Sequence, residues 1–148
     1  MLKLQPLLIL GISLLLTTVI FLSRSAEVTT GSNSTLAGLA TMRSMAGESV
    51  AWDVAIGNKN PTLIEFYADW CTTCQGMASV VNEMHHKYGD KINLVMLNID
   101  EPRWTQQVEE FGVTGVPQFT FLDSNHEMVK TLVGRVPEKI FDDVLAKL

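Results

Sequence analysis

Two compact apolar runs, TLIEFY at residues 62–67 and INLVMLNID at 92–100, flank a stretch whose apolar residues recur at helical spacing. Met77, Val80, Val81, Met84 and Tyr88 stand three or four positions apart, and Gly89 ends the pattern. Short runs of this kind read as buried strands. A strand, a helix and a strand in that order place the two strands parallel, because the helix carries the chain back to the starting end of the sheet. Downstream, RWTQQVEEFG at 103–112 reads as a short helix. PQFTFLD and EMVKTLVG, separated by the polar turn SNH, read as an antiparallel pair. The chain closes on a helix at 137–148, with Pro137 in its first turn and Ile140, Phe141, Val144, Leu145 and Leu148 as its apolar stripe. The fold class is α/β: βαβ, a helix, then ββα, giving a mixed central sheet flanked by helices. SVAWDVAIG at 49–57 reads as a further helix ahead of the first strand, ended by Gly57.

The remaining sequence differs in kind. Residues 6–22 carry no charge, with Lys3 before them and Arg24 after. This length is at the short end for a membrane-spanning helix. Residues 1–24 are read as a signal-anchor, uncleaved because Arg24 stands inside the only small-residue cleavage pattern, SRSAEV. A cleaved signal is the competing reading, and both deliver the rest of the chain across a membrane. Positive charge on both flanks specifies the orientation weakly. Residues 25–47 are mostly small and polar and are read as a linker. Its part up to residue 34 is expected to be a flexible spacer, and 36–45 one short helix with Leu36, Leu39 and Met42 as its apolar positions. The globular domain is placed at 48–148. A chain that is 47% hydrophobic can pack a core, and a net charge of -5 with no basic run gives nucleic acid no electrostatic footprint.

The chain has two cysteines, Cys71 and Cys74, where the first strand gives way to the helix. Residues three apart on a helix share a face, so the two sulfurs can meet. First-turn N–H groups and the helix dipole stabilise a thiolate, which makes Cys71 acidic and nucleophilic. Cys74, one turn inside, can resolve a mixed disulfide formed at Cys71, so the pair can cycle between dithiol and disulfide. A structural zinc site needs four protein ligands and no second cysteine pair exists. A permanent disulfide would close a tiny loop and remove little chain entropy. Reversible redox work is the reading that remains, with no metal and no separate cofactor. His85 and His86 read as a solvated helix end, Asp100-Glu101 as a turn, and Met77 and Met84 as core.

FYADWCTTC followed by a helix, then GVTGVPQFTFL, then LVGRVP, resembles the thioredoxin family over residues 49–148, with the landmarks in order. Together with the apolar N-terminus, DWCTTCQ, NLVMLNID and VGRVP are most similar to its membrane-anchored members in cyanobacterial and plastid thylakoids. The resemblance implies a thioredoxin fold and a disulfide reductase, with Cys71 attacking and Cys74 resolving. It implies that Trp70 shields the disulfide, that Pro117 follows a cis bond, that the Val116 backbone pairs with an extended substrate, and that Gly134 leaves room for it. It further implies a catalytic domain on the non-cytosolic side, in a thylakoid lumen or periplasm, that supports cytochrome assembly. Partners would be disulfide-bearing clients and a membrane electron donor. Departures from the family pattern are Thr72-Thr73 in place of Gly-Pro, Met96 in place of a lysine, and Glu65 in place of a buried aspartate. Leu63, Glu65 and Tyr67 share one strand face, so Glu65 is expected to point into the core, with a raised pKa, and to take the Cys74 proton; the alternative is a glutamate that reaches solvent at the strand end. The family's first edge strand is not legible. Alternatives are a non-enzymatic client-binding module, and an oxidase or isomerase.

Overall fold

The computed structural model describes residues 30–148. The chain divides into two compact units, Met1–Asn33 and Ser34–Leu148, and the second holds the sheet. The uncharged run at 6–22 lies outside the described residues, and among the described residues no helix is long and apolar enough to cross a membrane.

The elements in chain order are α1 (Thr30–Glu48), α2 (Trp52–Gly57), β1 (Thr62–Tyr67), α3 (Thr72–Tyr88), β2 (Asn93–Asn98), a 3-10 turn (Pro102–Trp104), α4 (Thr105–Glu110), β3 (Gln118–Leu122), β4 (Met128–Val133) and α5 (Glu138–Leu145). The sheet order is β2-β1-β3-β4. β1 runs parallel to β2 and antiparallel to β3, and β3 pairs antiparallel with β4. This is the mixed sheet expected from the order of apolar runs. Every residue of β1 and β3 is buried, as suits strands covered on both faces.

Two cores lie on the two faces. Leu63 and Tyr67 of β1 join Met77, Val81 and Met84 of α3 and Phe141 and Leu145 of α5. Ile64 and Phe66 join Val95, Leu97 and Leu122 under α2 and α4. The period of two along β1 assigns alternate residues to opposite cores. Pro137 stands at the N-cap position, one residue before α5 begins, rather than in its first turn as expected.

The segment before β1 departs from expectation. The chain is helical from Thr30, where a spacer up to residue 34 was read, and the helix runs three residues past the expected end at 45. Leu36, read as part of the apolar stripe, is 66% exposed, whereas Met42 and Met45 are buried in the same core as the cysteines. Folded structure therefore starts well ahead of residue 48. The reason lies at Gly38: a Cβ there would stand 2.2 Å from the backbone oxygen of Gln75, so α1 crosses α3 at backbone contact. Packing against α3, which is invisible in the polar composition of the segment, holds the helix.

No edge strand precedes β1 among the described residues. A single ladder-like bond, from Val50 N–H to the Leu94 carbonyl at 2.8 Å, stands on the outer side of β2.

Candidate active site at the first turn of α3

β1 ends at Tyr67, and a turn closed by Cys71 N–H on the Ala68 carbonyl (3.1 Å) delivers the chain to α3. Cys71 is the N-cap, with extended backbone, and its sulfur accepts the Cys74 N–H at 3.0 Å. Serine or aspartate oxygen commonly fills that capping role. Sulfur in the same place sits where the first-turn N–H groups and the helix dipole favour negative charge. Cys71 and Cys74 are joined in a disulfide, with Cα atoms 5.2 Å apart. Among the described residues no cluster of His, Cys, Asp and Glu is arranged to hold a metal.

Cys71 is less open than the sequence suggested. It exposes 5% of its surface and Cys74 none, so a nucleophile at the helix start is nearly covered while the residue one turn inside is sealed. The cause is the Val116–Pro117 turn, whose carbonyl at Val116 lies 3.5 Å from the Cys71 sulfur. The Val116–Pro117 bond is cis. Gly134 N–H donates to the Pro117 carbonyl at 2.8 Å, which ties the end of β4 to this turn. Gly134 has φ +82, a region L side chains avoid, and a Cβ on it would meet nothing within 4 Å. Glycine is thus required by the backbone, and the space beside it is open.

Trp70 is 64% exposed, and its Nε1–H donates to Asp100 Oδ2 at 2.9 Å. Asp100 stands in the turn after β2, where sequence reasoning saw only a turn. The signal was topological: parallel neighbours β1 and β2 end on the same side of the sheet, so residues just past both strands meet there. Asp69, the residue before Trp70, is held by Arg43 of α1 through Nη2 at 2.7 Å and Nε at 3.0 Å. Its backbone carbonyl also accepts the Gln75 side-chain N–H at 2.7 Å. The loop before the disulfide is therefore fixed from both flanks.

Glu65 lies between Leu63 and Tyr67 on the β1 face that belongs to the cysteine-containing core. It is fully buried, in register with Met96 on one side and Phe119 on the other. Neither carboxyl oxygen has a hydrogen-bond partner. Burial, with no cation to offset it, pushes its pKa up to about 8. Met96 in place of a lysine is why the shift has desolvation as its only cause. An unpartnered acid in a packed core is costly, and such groups concentrate where chemistry needs them.

A model of the family described as Thioredoxin matches residues 44–147. The chain belongs to the thioredoxin family. Its thioredoxin-like relatives include the chloroplastic thioredoxin-like protein HCF164 of Oryza sativa, 40% identical over 110 residues that make up 74% of this chain and 42% of the relative. The thiol:disulfide interchange protein TxlA of Synechococcus elongatus is 39% identical over 68% of this chain and 53% of its own length. A TxlA homolog of Synechocystis is 33% identical, covering 88% of this chain and 72% of the relative. The chain thus spans from about two-fifths to about half the length of the first two of these thioredoxin relatives. Among solved structures, the Drosophila germline thioredoxin Deadhead superposes with a TM-score of 0.54 at 28% identity, covering 61% of this chain and 82% of that one. The thioredoxin fold and its two-cysteine motif are both present in this chain.

Proposed function

We propose that this chain is a thiol–disulfide oxidoreductase that works as a protein-disulfide reductase through the Cys71–Cys74 couple. The observation that carries the reading is the disulfide itself: it closes at the start of a 17-residue helix, with Cys71 as its N-cap and Cys74 sealed beneath. In the dithiol state, the Cys71 thiolate would attack a client disulfide and release one client sulfur as a thiol. Cys74, losing its proton, would then attack the Cys71 sulfur, free the second client thiol and leave Cys71–Cys74 oxidised. Two electrons pass to the client. Glu65 would take the Cys74 proton and return it when the couple is re-reduced; a pKa near the working pH suits both directions. Trp70, the Val116–Pro117 turn and Gly134 would form the surface on which an extended client segment lies.

The relatives named thiol:disulfide interchange protein and chloroplastic thioredoxin-like protein support the same chemistry. The uncharged run at 6–22 supports an anchored protein; the likeness to membrane-anchored thylakoid members supports a domain that works on the non-cytosolic side, in a thylakoid lumen or periplasm, with cytochrome assembly as its task. With a single cysteine pair, the chain would draw its electrons from another protein, a membrane donor.

The test has two parts. Titration against glutathione should give a reduction potential nearer about -250 mV than about -120 mV; a value above about -150 mV would identify an oxidase instead. Cys74→Ser should accumulate reducible mixed disulfides with clients on non-reducing gels, and Cys71→Ser should not. Equal trapping by both variants would overturn the division of roles. Normal function of a double Ser variant would favour a client-binding module.

A further inference from the structure

A cleft of about 490 Å³ opens between α1 and α3, beside the disulfide. Gly38 and Thr41 line it from α1, Thr72, Gln75 and Ser79 from α3, and Arg135 from the loop after β4. Among the described residues no carboxylate lines it. Thr72, Gln75, Gly76 and Ser79 fall on one stripe of α3, spaced i, i+3, i+4 and i+7. Over this stripe lies the Arg135 guanidinium: a Cβ on Gly76 would stand 3.1 Å from its Nη2, so the missing side chain seats the cation against the helix. None of the ion pairs among the described residues includes Arg135. Gln75 is nine-tenths buried. Its Nε2–H is committed to Asp69, which fixes the amide and leaves Oε1 without a partner.

A seated, unpaired guanidinium among hydroxyls calls for an anionic acceptor. A carboxylate side chain on an extended peptide supplies one. Gly76 is five residues past Cys71, about 7.5 Å along the helix axis. An extended chain covers about 3.3 Å per residue, so a client bonded to Cys71 reaches the cleft with its second or third neighbouring residue. We propose that this cleft selects clients carrying Asp or Glu two or three residues from the cysteine that Cys71 attacks, with Arg135 as the residue that sets the preference. The inference rests on the reductase reading for its orientation relative to Cys71, but the cleft can be tested apart from it.

The experiment uses the full chain and two peptides that differ only by Glu or Gln at the third position on either side of one cysteine. Binding is measured to the Cys71→Ser/Cys74→Ser variant, in which no exchange occurs. The Glu peptide should bind about two- to fivefold more tightly than the Gln peptide. High salt should erase the difference, and adding Arg135→Glu should invert it. A ratio of one, or a preference that survives Arg135→Glu, would overturn the proposal. Rates with the wild-type chain and the disulfide forms of the peptides judge the redox reading separately. A binding preference without reduction of either peptide would sustain the cleft and sink the reductase.

Discussion

The two faces of the sheet differ in whether the polar group they bury is ionisable. On the α2 and α4 side, Asn93 donates to Asn58 Oδ1 at 3.0 Å and Thr62 Oγ1 at 3.1 Å. Gln118 donates to the Phe111 carbonyl at 3.1 Å, and Thr120 lies 3.5 Å from Thr131 Oγ1. Each of these strand groups has a partner; Gln107 Oε1 of α4 is a neutral exception, and no ionisable side chain is buried among the described residues on this side. On the α1, α3 and α5 side the core is built of Met, Leu, Val and Phe, and the one buried acid, Glu65, has no partner at all. Satisfied polar groups hold a structure together, whereas an orphaned one is tolerated because something other than stability retains it. What sets the cysteine face apart is that it holds an orphaned acid, a group that can exchange a proton, whereas the orphan on the other face is a neutral amide oxygen.

The largest stability effect should come from the packing that encloses the acid. Phe141 is fully buried, its ring 4.9 Å from Phe119 and 5.9 Å from Phe121. Phe141→Ala should cost about 3–5 kcal/mol, read as a shift in urea midpoint at unchanged slope. A cost under about 1 kcal/mol would mean this face is not the tightly packed one. Next is the acid itself. Its folded pKa of about 8 lies above its ordinary 4.5, so between those values the folded protein holds a proton that the unfolded chain has released. Stability from this group is full below the ordinary carboxyl range and is lost as pH rises towards 8, at up to about 1.4 kcal/mol per pH unit. Glu65→Gln should flatten that decline in oxidised protein while slowing client reduction. If the variant and wild type lose stability in parallel, the orphan assignment is wrong.

The opposite face supplies the control. Asn93→Ala strips partners from Thr62 and Asn58 and should cost about 1–3 kcal/mol, with no change in the pH profile or in the reduction potential. A change in either would erase the distinction between the faces. Smallest of all, Arg43→Gln removes an exposed pair to Asp69 and should leave the unfolding midpoint where it was. Any effect should appear in the rate of client reduction, through a looser loop ahead of Trp70.

What was legible in the sequence followed from periodicity. The period of two in TLIEFY placed Glu65 with Leu63 and Tyr67, and the helical period beyond Cys74 gave α3 its buried side, Met77, Val81 and Met84. The antiparallel hairpin of β3 and β4 followed from its polar turn, where Asp123 Oδ1 accepts the N–H groups of Asn125 and Glu127. The cis bond before Pro117 came from resemblance alone, since no local pattern demands it. What was not legible depends on contacts distant in sequence. The apolar positions of α1 misplace Leu36, whose exposure shows that the inward side runs instead through Leu39, Met42 and Met45 and is set by the close crossing of α3 at Gly38. The Trp70–Asp100 bond spans thirty positions and has no local signature. The near-complete cover over Cys71 comes from Val116, on the far side of the sheet sequence, and a helix-start argument sees only the helix.

The bond from Trp70 to Asp100 also governs how a visitor meets the surface. Indole has one hydrogen-bond donor, its N–H, and here it is already engaged by the protein's own aspartate. The broad exposed ring therefore has no directional contact to offer and presents only its flat carbon face and edges. Such a surface is sticky without being choosy: it accepts many chains in many registers and rewards none for its sequence. Discrimination among visitors must then come from outside the aromatic patch, and a mutation there should change how many partners are held while leaving their ranking as it was.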